Sequence, residues 1–421
     1  MAGRRALIIS ENAPVPSDRR VWNEARALTD AGWHVTIVCA EGQGRHTAPF
    51  ERLEGIDIHR YPLVPAAGGL VGYAREYAQA MWRIRKLARK LAAVEPFDVV
   101  HACNPPDFLL LAARGLRRKG ARFVFDHHDL VPELYRAKFG DGPLSNVAAA
   151  LERIAFRSAD VVLSTNDSYR AIALGRGRMD AADVFVVRNG PDLERFRPAE
   201  PDPSWRRGRA HMIAYLGIMG PQDGLDHALK ALGELHQRRD DWHAVFIGEG
   251  DMLEQMRALA GELGIAEHVE FAGWRYDDDI RTILSTADVC LAPDPPSPLN
   301  DVSTMIKIPE YMAMGRPLVS YDLRESRVSA GDAALYAEPG DIAGFAERID
   351  TLLSDPDLRE RMGRAGRERV ETELSWQHST GHLLAAYDRA LSPSGEVSAP
   401  RGVVHASTHP WEGHEPANPV S

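Results

Sequence analysis

The sequence contains very little cysteine: Cys39, Cys103 and Cys290 are the only three among 421 residues. An odd, scattered set excludes a disulfide framework and the paired spacing of a zinc site, and it is typical of a protein from a reducing compartment. We therefore expect three structural thiols that lie in apolar surroundings.

Long apolar runs are missing as well. No stretch reaches the roughly 18 apolar residues that a membrane-spanning helix needs, so the sequence predicts no transmembrane segment. The first residues, MAGRRALIISENAP, hold only a short apolar run with a polar continuation. This pattern argues against a signal peptide and favours a first buried strand. Together these absences predict a cytoplasmic protein.

The net charge of −10 is unevenly distributed along the chain. Residues 1–200 hold 29 Lys and Arg against 24 Asp and Glu, whereas the remainder holds 21 against 36. A basic first half would suit an anionic membrane surface or an anionic acceptor, and an incidental split would give the same counts. We expect no nucleic acid partner.

What the sequence does contain is an alternation of short β-rich runs and amphipathic helical segments, which predicts an α/β protein with parallel sheets. Residues 195–208, rich in proline and charge, interrupt the alternation and indicate a linker. We expect two doubly wound, Rossmann-like domains at 1–198 and 209–375. A terminal helix at 376–391 should pack back on the first domain, and the Pro-, Gly- and Ser-rich residues 392–421 are predicted to be disordered.

Ligands of open parallel sheets bind beyond the carboxyl ends of the strands, so residues that directly follow predicted strands are the candidates. The first candidate is DHHDLVPE, residues 126–133. His128 can hydrogen-bond or exchange protons near neutral pH, and a nearby carboxylate can fix its tautomer. A loop of mutually satisfied polar groups would explain the same residues without any function.

The second candidate is NDVSTMIKIPEYMAMG, residues 300–315. Its polar loop leads into a helix, and Pro309, tolerated only in a first turn, places the helix start near Lys307. Free backbone N–H groups, the helix dipole and the Lys307 ammonium suit a phosphate, and Glu310 on the same face suits a ribose diol. The alternative is a surface ion pair between Lys307 and Glu310, without functional meaning.

Two glycine loops follow strands of the predicted second domain, at residues 215–224 and 247–251. Glycine lets the backbone approach a ligand closely. The spacing in neither loop is GxGxxG, so each on its own is a weak turn signal.

Four blocks of sequence together resemble the GT-B glycosyltransferases of family 4, which retain anomeric configuration and use nucleotide sugars. The resemblance covers nearly all of residues 1–391. Its blocks are VVRNGPDLERFRP (186–198), FIGEGDMLEQMRALAGELGIAEHVEFAGW (246–274), ADVCLAPD (287–294) and PEYMAMGRPLVS (309–320). The resemblance implies a GT-B fold, with two Rossmann-like domains that face each other across a cleft.

The resemblance also implies roles for individual residues. The second domain is expected to bind the nucleotide sugar, with Glu310 on the ribose and Lys307 on the diphosphate, and His128 is expected to contact the donor sugar near the reaction centre. The other residues expected to bind the donor are Asp301, Ser303, Thr304, Gly217, Gly220, Glu249, Gly250, Trp274 and Arg275. The residues expected on the acceptor side of the cleft are Asp18, Arg19, Arg20, Asp129 and Glu133.

The chain departs from the family pattern at two places. The family often has two glutamates separated by seven residues, but Val302 occupies the first of these positions and only Asp301, one position away, offers a carboxylate. The family also often has an arginine and a lysine after the first strand of the second domain, where this chain has Ile218 and Asp223. Neutralisation of the diphosphate is then expected to fall on Lys307, backbone N–H groups and the helix end.

The expected reaction moves a sugar from a UDP- or GDP-sugar to a hydroxyl of a glycan or lipid-linked glycan, as in polysaccharide biosynthesis, without a metal or a further cofactor. Residues 73–94 form a predicted helix with six basic residues and one acid, Glu76. This helix would suit an anionic bilayer, or it simply packs on its own sheet. Rival interpretations are an epimerase or phosphorylase on the same fold and a non-catalytic partner subunit.

Overall fold

The architecture comes from a computed structural model that describes residues 3–11, 13–42, 46–63, 69–140 and 142–392. Except for Ser392, the C-terminal segment predicted to be disordered lies outside the described residues. Two sheets form, each built from one of the two series of alternating elements that the sequence predicts.

The first sheet has eight strands in the order β3-β4-β2-β1-β5-β6-β7-β8. The strands are β1 (Arg5–Ser10), β2 (His34–Ala40), β3 (Phe50–Leu53), β4 (Ile56–Tyr61), β5 (Val99–Cys103), β6 (Arg122–His127), β7 (Val161–Ser164) and β8 (Val184–Val186). The helices between them are α1 (Arg19–Asp30), α2 (Gly69–Val94), α3 (Leu110–Arg117), α4 (Val131–Phe139), α5 (Pro143–Ser158) and α6 (Asp167–Gly175). All neighbouring strands are parallel except the pair of β3 and β4.

That antiparallel pair was not predicted, since the alternation of strands and helices indicated parallel strands throughout. Strands β3 and β4 are joined by Glu54 and Gly55, which have φ angles of 49° and 83°. Two consecutive residues of positive φ make the tight hairpin turn whose twist matches the flanking strands. The hairpin adds one short edge strand and leaves the carboxyl ends of the parallel strands unchanged.

The second sheet has six parallel strands in the order β11-β10-β9-β12-β13-β14. The strands are β9 (His211–Leu216), β10 (Trp242–Ile247), β11 (Val269–Gly273), β12 (Val289–Ala292), β13 (Leu318–Tyr321) and β14 (Ala334–Ala337). The helices are α7 (Leu225–His236), α8 (Leu253–Glu262), α9 (Asp277–Thr286), α10 (Lys307–Ala313), α11 (Arg324–Ala330), α12 (Ile342–Ser354), α13 (Pro356–Arg369) and α14 (Trp376–Leu391). Helix α10 begins at Lys307, as the position of Pro309 predicted.

Helices cover both faces of each sheet, so the strands are apolar on both sides. In the first domain, α1 and α14 pack on one face, with Trp22, Leu28 and Tyr387 buried there. Helices α2, α3, α5 and α6 pack on the opposite face. Helix α14 therefore crosses from the end of the second series back to the first sheet.

Helix α2 directs its apolar residues at the sheet. Met81, Ile84 and Ala88 are buried in the core of the first domain, while Leu91 packs against it. Helix α2 therefore packs on its own sheet, which is one of the two arrangements that the sequence left open for it. Among the described residues, no helix combines the length and the hydropathy required to cross a bilayer.

The two glycine loops of the second domain touch each other at the carboxyl ends of β9 and β10. Gly248 has a φ angle of 135°, and a Cβ atom on it would lie 1.9 Å from the carbonyl oxygen of Gly217. Gly217 N in turn donates a hydrogen bond to the carbonyl oxygen of Ile247 at 3.0 Å. These glycines are required for the contact between the two loops.

We predict that Gly248→Ala lowers the free energy of unfolding by more than about 2 kcal/mol, because the methyl group overlaps a backbone atom and the φ angle disfavours a side chain. Urea unfolding measures the effect. The control is Gly261→Ala on the exposed surface of α8, where an added Cβ meets nothing within 4 Å. The control should be neutral or stabilising by up to about 1 kcal/mol, and equal effects of the two changes would contradict the prediction.

Candidate functional site

The carboxyl ends of the two sheets face each other across a cleft. The segment after β7 contacts the segment after β12: Asn166 Nδ2 donates to the carbonyl oxygen of Val302 at 2.9 Å. The segment after β1 contacts the segment after β11: the guanidinium of Arg19 lies 3.5 Å from the carboxylate of Asp277. The cleft is therefore lined by the loops in which the sequence places the candidate residues.

His128 is held by a carboxylate from the end of β6. Its Nδ1 lies 3.0 Å from Oδ2 of Asp126, and its side chain is 14% exposed. Burial alone would lower the pKa of His128, but the charge and the hydrogen bond of Asp126 raise it to about 9. His128 is thus an imidazolium at neutral pH, with Nδ1–H directed at Asp126.

Asp126 is itself held by Arg20, in the first turn of α1. Arg20 Nε and Nη2 donate to the two oxygens of Asp126, each at 2.7 Å, and both side chains are buried. Despite burial, the charges of Arg20 and His128 keep the pKa of Asp126 well below its usual range. Arg20 also donates to the carbonyl oxygen of Val187 at 2.8 Å and to Oδ1 of Asn189 at 2.6 Å.

These contacts give Arg20 a place different from the expected one. The resemblance implied a residue on the acceptor side of the cleft, whereas the guanidinium is buried and occupied by protein acceptors. Four residues with metal-binding side chains lie within ligand distance of one another here, namely Glu24, His101, Cys103 and Asp126. Arg20 already binds two of their carboxylates, with Nη2 3.2 Å from Glu24 Oε1, so this group holds a guanidinium.

Asn104 fixes the loop that carries His128. Its Oδ1 accepts from the backbone N–H groups of His128 and Asp129, at 2.9 and 3.0 Å, and its Nδ2 donates to the carbonyl oxygen of Asp129 at 2.7 Å. The backbone at Asp129 therefore belongs to a fixed loop beside the cleft. Sequence reasoning missed Asn104, although its position directly after strand β5 is a signal of the kind used for the other candidates.

Glu133 and Asp18 have structural partners. Glu133 accepts two hydrogen bonds from Arg176, at 2.6 and 3.2 Å, and its side chain is 11% exposed. Asp18 is the N-cap of α1 and accepts from the backbone N–H of Val21 at 3.2 Å. Arg19, also expected on the acceptor side, contacts the second domain through its guanidinium, which lies 3.5 Å from Asp277.

Lys307 is buried and pairs with Asp294, which lies two residues after β12. Its Nζ donates to Oδ1 of Asp294 at 2.7 Å and lies 3.9 Å from Asp223 and 5.0 Å from the ring centroid of Tyr215. Lys307 therefore forms a buried ion pair with Asp294, and the alternative of a surface ion pair with Glu310 is wrong. Burial would lower the pKa of Lys307, but Asp294 and its neighbours raise it, so the ammonium stays charged.

Gly217, in the glycine loop of residues 215–224, leaves room for the hydroxyl of Tyr215, which a Cβ atom there would approach to 2.9 Å, and it lies beside Lys307 Cε. Gly220 closes the same loop by donating its backbone N–H to Oδ2 of Asp223 at 3.0 Å. The sequence did not reveal that Asp294 is the partner of Lys307, although an acid directly after a buried strand is a recognisable signal.

Ser303 and Thr304, expected at the diphosphate, are bound by side chains of the first domain. Ser303 Oγ lies 3.0 Å from the hydroxyl of Tyr169, and Thr304 Oγ1 accepts from Asn166 Nδ2 at 3.0 Å. Glu325, at the start of α11, makes a further contact between the domains, because its carboxylate accepts from Ser168 Oγ at 2.6 Å. The predicted phosphate loop is thus also an interdomain contact in this structure.

Glu310 lies at the cleft with two arginines nearby. Its Oε1 is 4.0 Å from Arg195 Nη1, and Arg195 also donates to Asp277 at 2.8 Å. Burial raises the pKa of Glu310 to about 7, opposed by the charges of Arg195 and Arg19. Arg195, which follows β8 on the segment leading to the second domain, was not singled out from the sequence.

The remaining candidates lie at the ends of β10 and β11. Glu249 Oε1 accepts from the backbone N–H of Trp274 at 3.4 Å, and a Cβ atom on Gly250 would overlap the carbonyl oxygen of Met219. Trp274 is 65% exposed, so its ring is open to a ligand. Arg275 instead lies with its guanidinium 5.8 Å from the ring centroid of Trp205, on the interdomain linker.

Asp301, the acid next to the position of the missing family glutamate, is bound to Arg324 at the start of α11. Its Oδ1 accepts from the backbone N–H of Arg324 at 3.0 Å, and its Oδ2 lies 3.7 Å from Arg324 Nε. Val302, which occupies the family position, packs in an apolar cluster with Leu130, Tyr169 and Leu299.

Comparison with known proteins matches both halves of the chain to one group of enzymes. A family profile described as Glycosyltransferase Family 4 matches residues 17–195, and one described as Glycosyl transferases group 1 matches residues 210–355. The GDP-mannose-dependent alpha-(1-6)-phosphatidylinositol monomannoside mannosyltransferase of Mycobacterium tuberculosis is 30% identical over 297 residues, which cover 68% of this chain and 75% of that one. The 2-deoxystreptamine glucosyltransferase of Streptomyces kanamyceticus is 27% identical, and the match spans 64% of its length.

Solved structures share the fold at low identity. Sucrose-phosphate synthase from Thermosynechococcus elongatus superposes with a TM-score of 0.76 at 17% identity, covering 92% of this chain and 98% of that one. The Anabaena HepE protein in complex with UDP-glucose gives a TM-score of 0.68 at 16% identity, covering 91% and 99%. The expected GT-B fold is confirmed.

We predict that Asp126→Asn lowers the pKa of His128 from about 9 to below 6.5, because burial then acts without the offsetting carboxylate. Arg20 also loses one of its two anionic partners, so the free energy of unfolding should fall by about 3–5 kcal/mol. NMR titration of the histidine ring and urea unfolding measure the two effects.

The matched control for this prediction is Asp388→Asn, which removes an exposed partner of Arg4 and should change stability by less than about 1 kcal/mol. A pKa of His128 near 6.5 in the unaltered protein would contradict the assignment even if the Asp126 variant does not fold.

Proposed function

This chain belongs to glycosyltransferase family 4, and on that premise we propose that it transfers a hexose from a UDP- or GDP-sugar to a hydroxyl group of a glycan or lipid-linked glycan, with retention of anomeric configuration. The observation that carries the proposal is the position of His128 after β6, and of Lys307 and Glu310 on the helix after β12, at the carboxyl ends of the two sheets. That HepE was solved with UDP-glucose supports a nucleotide sugar as the donor. A role in polysaccharide biosynthesis in the cytoplasm is part of the same proposal.

We place the nucleotide on the second domain. Glu310, at the cleft and nearly buried, offers the carboxylate oxygens that a ribose diol requires as hydrogen-bond acceptors. Trp274, largely exposed beside Glu249, offers an apolar surface for the base. Glu310 lies on α10, which follows β12, and Trp274 directly follows β11, so both come after strands of one sheet, where open parallel sheets bind ligands.

The diphosphate requires more positive charge than Lys307 alone supplies. The ammonium of Lys307 is balanced by Asp294, so it acts as one half of a buried pair. Arg19, Arg195 and the imidazolium of His128 are further cations at the cleft. We propose that these groups together replace the arginine and lysine that the family often has, and that the reaction needs no metal for charge neutralisation.

In the proposed reaction the sugar lies under His128. With Nδ1–H bound to Asp126, the remaining ring nitrogen, Nε2, is free to donate a hydrogen bond to the donor while the ring is protonated. Lys307 and the backbone N–H groups of its loop stabilise the charge that develops on the leaving diphosphate. Preorganised donors of this kind contribute roughly 3–4 kcal/mol each to the lowering of the barrier.

The first test is a panel of UDP- and GDP-sugars, read by thermal shift and by slow hydrolysis of the donor. We expect stabilisation by one nucleotide class, and we expect Glu310→Ala to reduce donor turnover by a factor of about 100 or more. Glu262→Ala on the surface of α8 is the control and should match the unaltered protein. Absence of any nucleotide effect across the panel, in a protein that melts cooperatively, would refute the proposal.

Lys307 needs a paired substitution, because removing it alone leaves the buried charge of Asp294 uncompensated. We predict that Lys307→Met combined with Asp294→Asn folds normally but loses donor turnover about 100-fold or more. Circular dichroism and thermal unfolding verify the fold, and kinetics with the best donor measure the loss. Normal turnover of the folded double variant would remove Lys307 from the mechanism.

The pKa of Glu310 predicts a pH dependence of donor binding. Because burial raises this pKa to about 7, the carboxyl group is protonated at pH 6 and ionised at pH 8. A ribose diol bound by the carboxylate should therefore bind more tightly as pH rises through 7, by up to about tenfold per pH unit below 7, and level off above it. His128 stays protonated until about pH 9 and adds nothing in this window.

Isothermal titration with an intact nucleotide sugar, whose diphosphate does not titrate in this range, measures the dependence. Glu310→Gln should bind more weakly at pH 8 and lose the dependence. An unchanged pH profile in that variant would show that another group is responsible.

A further inference from the structure

Helix α5 is apolar on the side that faces solvent as well as on the side that faces the core. Leu144, Val147 and Ile154 are 38%, 55% and 49% exposed. With Leu151, which is half-buried, they form a row at spacings of three and four along the helix. The core side of α5 is separately filled by Ala148, Ala149, Ala155, Phe156 and the buried Glu152.

An ordinary surface helix carries polar residues on its outer face. Contiguous exposed apolar residues instead mark a surface that contacts a partner or a membrane. Among the residues of α5, all of which the structure describes, the single acid is Glu152, and it is buried against Arg176. The exposed charges of α5 are the two arginines Arg153 and Arg157.

Two further helices lie on the same side of the first sheet as α5. Helices α2, α3 and α5 pack on the same face of the first sheet, and α2 contacts α3. Their outer sides add Leu111, 38% exposed, and Trp82, 62% exposed. The ammonium of Lys86 lies 5.1 Å from the ring centroid of Trp82, a combination of aromatic and cation that suits a membrane interface.

The charge of these helices is mostly positive. Helices α2 to α5 contain twelve basic residues, namely Arg75, Arg83, Arg85, Lys86, Arg89, Lys90, Arg114, Arg117, Arg136, Lys138, Arg153 and Arg157. They contain three acids, Glu76, Glu133 and Glu152, and the last two pair with Arg176 inside the protein. These four helices therefore hold nine more basic than acidic residues.

We propose that the outer face of α5, together with Trp82 and Leu111, docks on an anionic lipid bilayer. Apolar residues that reach the acyl boundary, with cations around them at the level of the headgroups, are the two requirements for peripheral binding. A second copy of the chain fits less well as the partner. Two such faces would bring basic residues against basic residues, and the described residues of these helices offer no exposed acids to pair with them.

The geometry gives the docked protein an orientation. Helix α5 follows α4, which begins three residues after His128, so the N-terminal half of the row lies near the carboxyl edge of the sheet. The cleft therefore opens close to the bilayer plane, where an acceptor linked to a lipid would present its hydroxyl. The docking itself does not depend on the proposed donor or acceptor.

The experiment uses the full chain with vesicles of phosphatidylcholine, with and without phosphatidylglycerol, and measures the bound fraction by co-sedimentation. We expect binding only to the anionic vesicles, weakened by added salt. The variant Leu144→Ser/Val147→Ser/Ile154→Ser and the variant Arg153→Gln/Arg157→Gln should each bind about tenfold more weakly or worse. Both variants change exposed side chains, so their melting temperatures should match that of the unaltered chain.

The matched control is Arg238→Gln/Arg361→Gln, which removes two exposed arginines of the second domain and should bind vesicles normally. Equal loss in this control would indicate attraction by net charge alone and would overturn the proposed face. The unaltered chain could instead fail to bind vesicles and form a dimer in light scattering. If the serine variant is then a monomer, the face would be assigned to a second copy of the chain. Donor turnover without vesicles should be unchanged in both α5 variants, so this test fails or succeeds separately from the proposed function.

Discussion

The buried pair of Arg20 and Asp126 is the interaction on which the geometry of the first half-site depends. One guanidinium ties the first turn of α1 to the end of β6 and, through Val187 and Asn189, to the segment that leads to the second domain. Breaking a buried pair leaves an uncompensated charge, at a cost of about 3–5 kcal/mol, so these three segments are held together. The position and the charge of His128 follow from this pair, because Asp126 binds both partners.

The second half-site repeats this arrangement with Lys307 and Asp294. The two halves are linked by Ser303 and Thr304, whose hydroxyls contact Tyr169 and Asn166 of the first domain. Thr304 accepts from Asn166, so its own O–H can donate to the diphosphate of the proposed substrate. In the proposed complex one loop would then serve both the donor and the contact between the domains.

The sequence predicted the two sheets, the start of α10 and the loops that line the cleft, because these follow from local periodicity and from the position of Pro309. It did not predict the partners of Arg20 and Lys307. Arg20 and Asp126 are 106 positions apart, and no local pattern specifies which acid a buried cation meets. The sequence pattern of α2 suggested peripheral contact with an anionic bilayer. The exposed apolar row of α5 could not be recognised in the sequence, because that helix has apolar residues on both its core side and its outer side.

The missing glutamate of the family motif shows how a departure in one residue can be accommodated. Val302 stands at that position and packs against Leu130 and Tyr169 of the first domain, so it contributes to the interdomain contact. The adjacent Asp301 accepts a hydrogen bond from the backbone N–H of Arg324 at the start of α11. For the proposed donor, the loop of His128 and Asp129, which Asn104 fixes, offers contacts to the sugar from the first domain. These contacts would depend on the same buried network that sets the charge of His128.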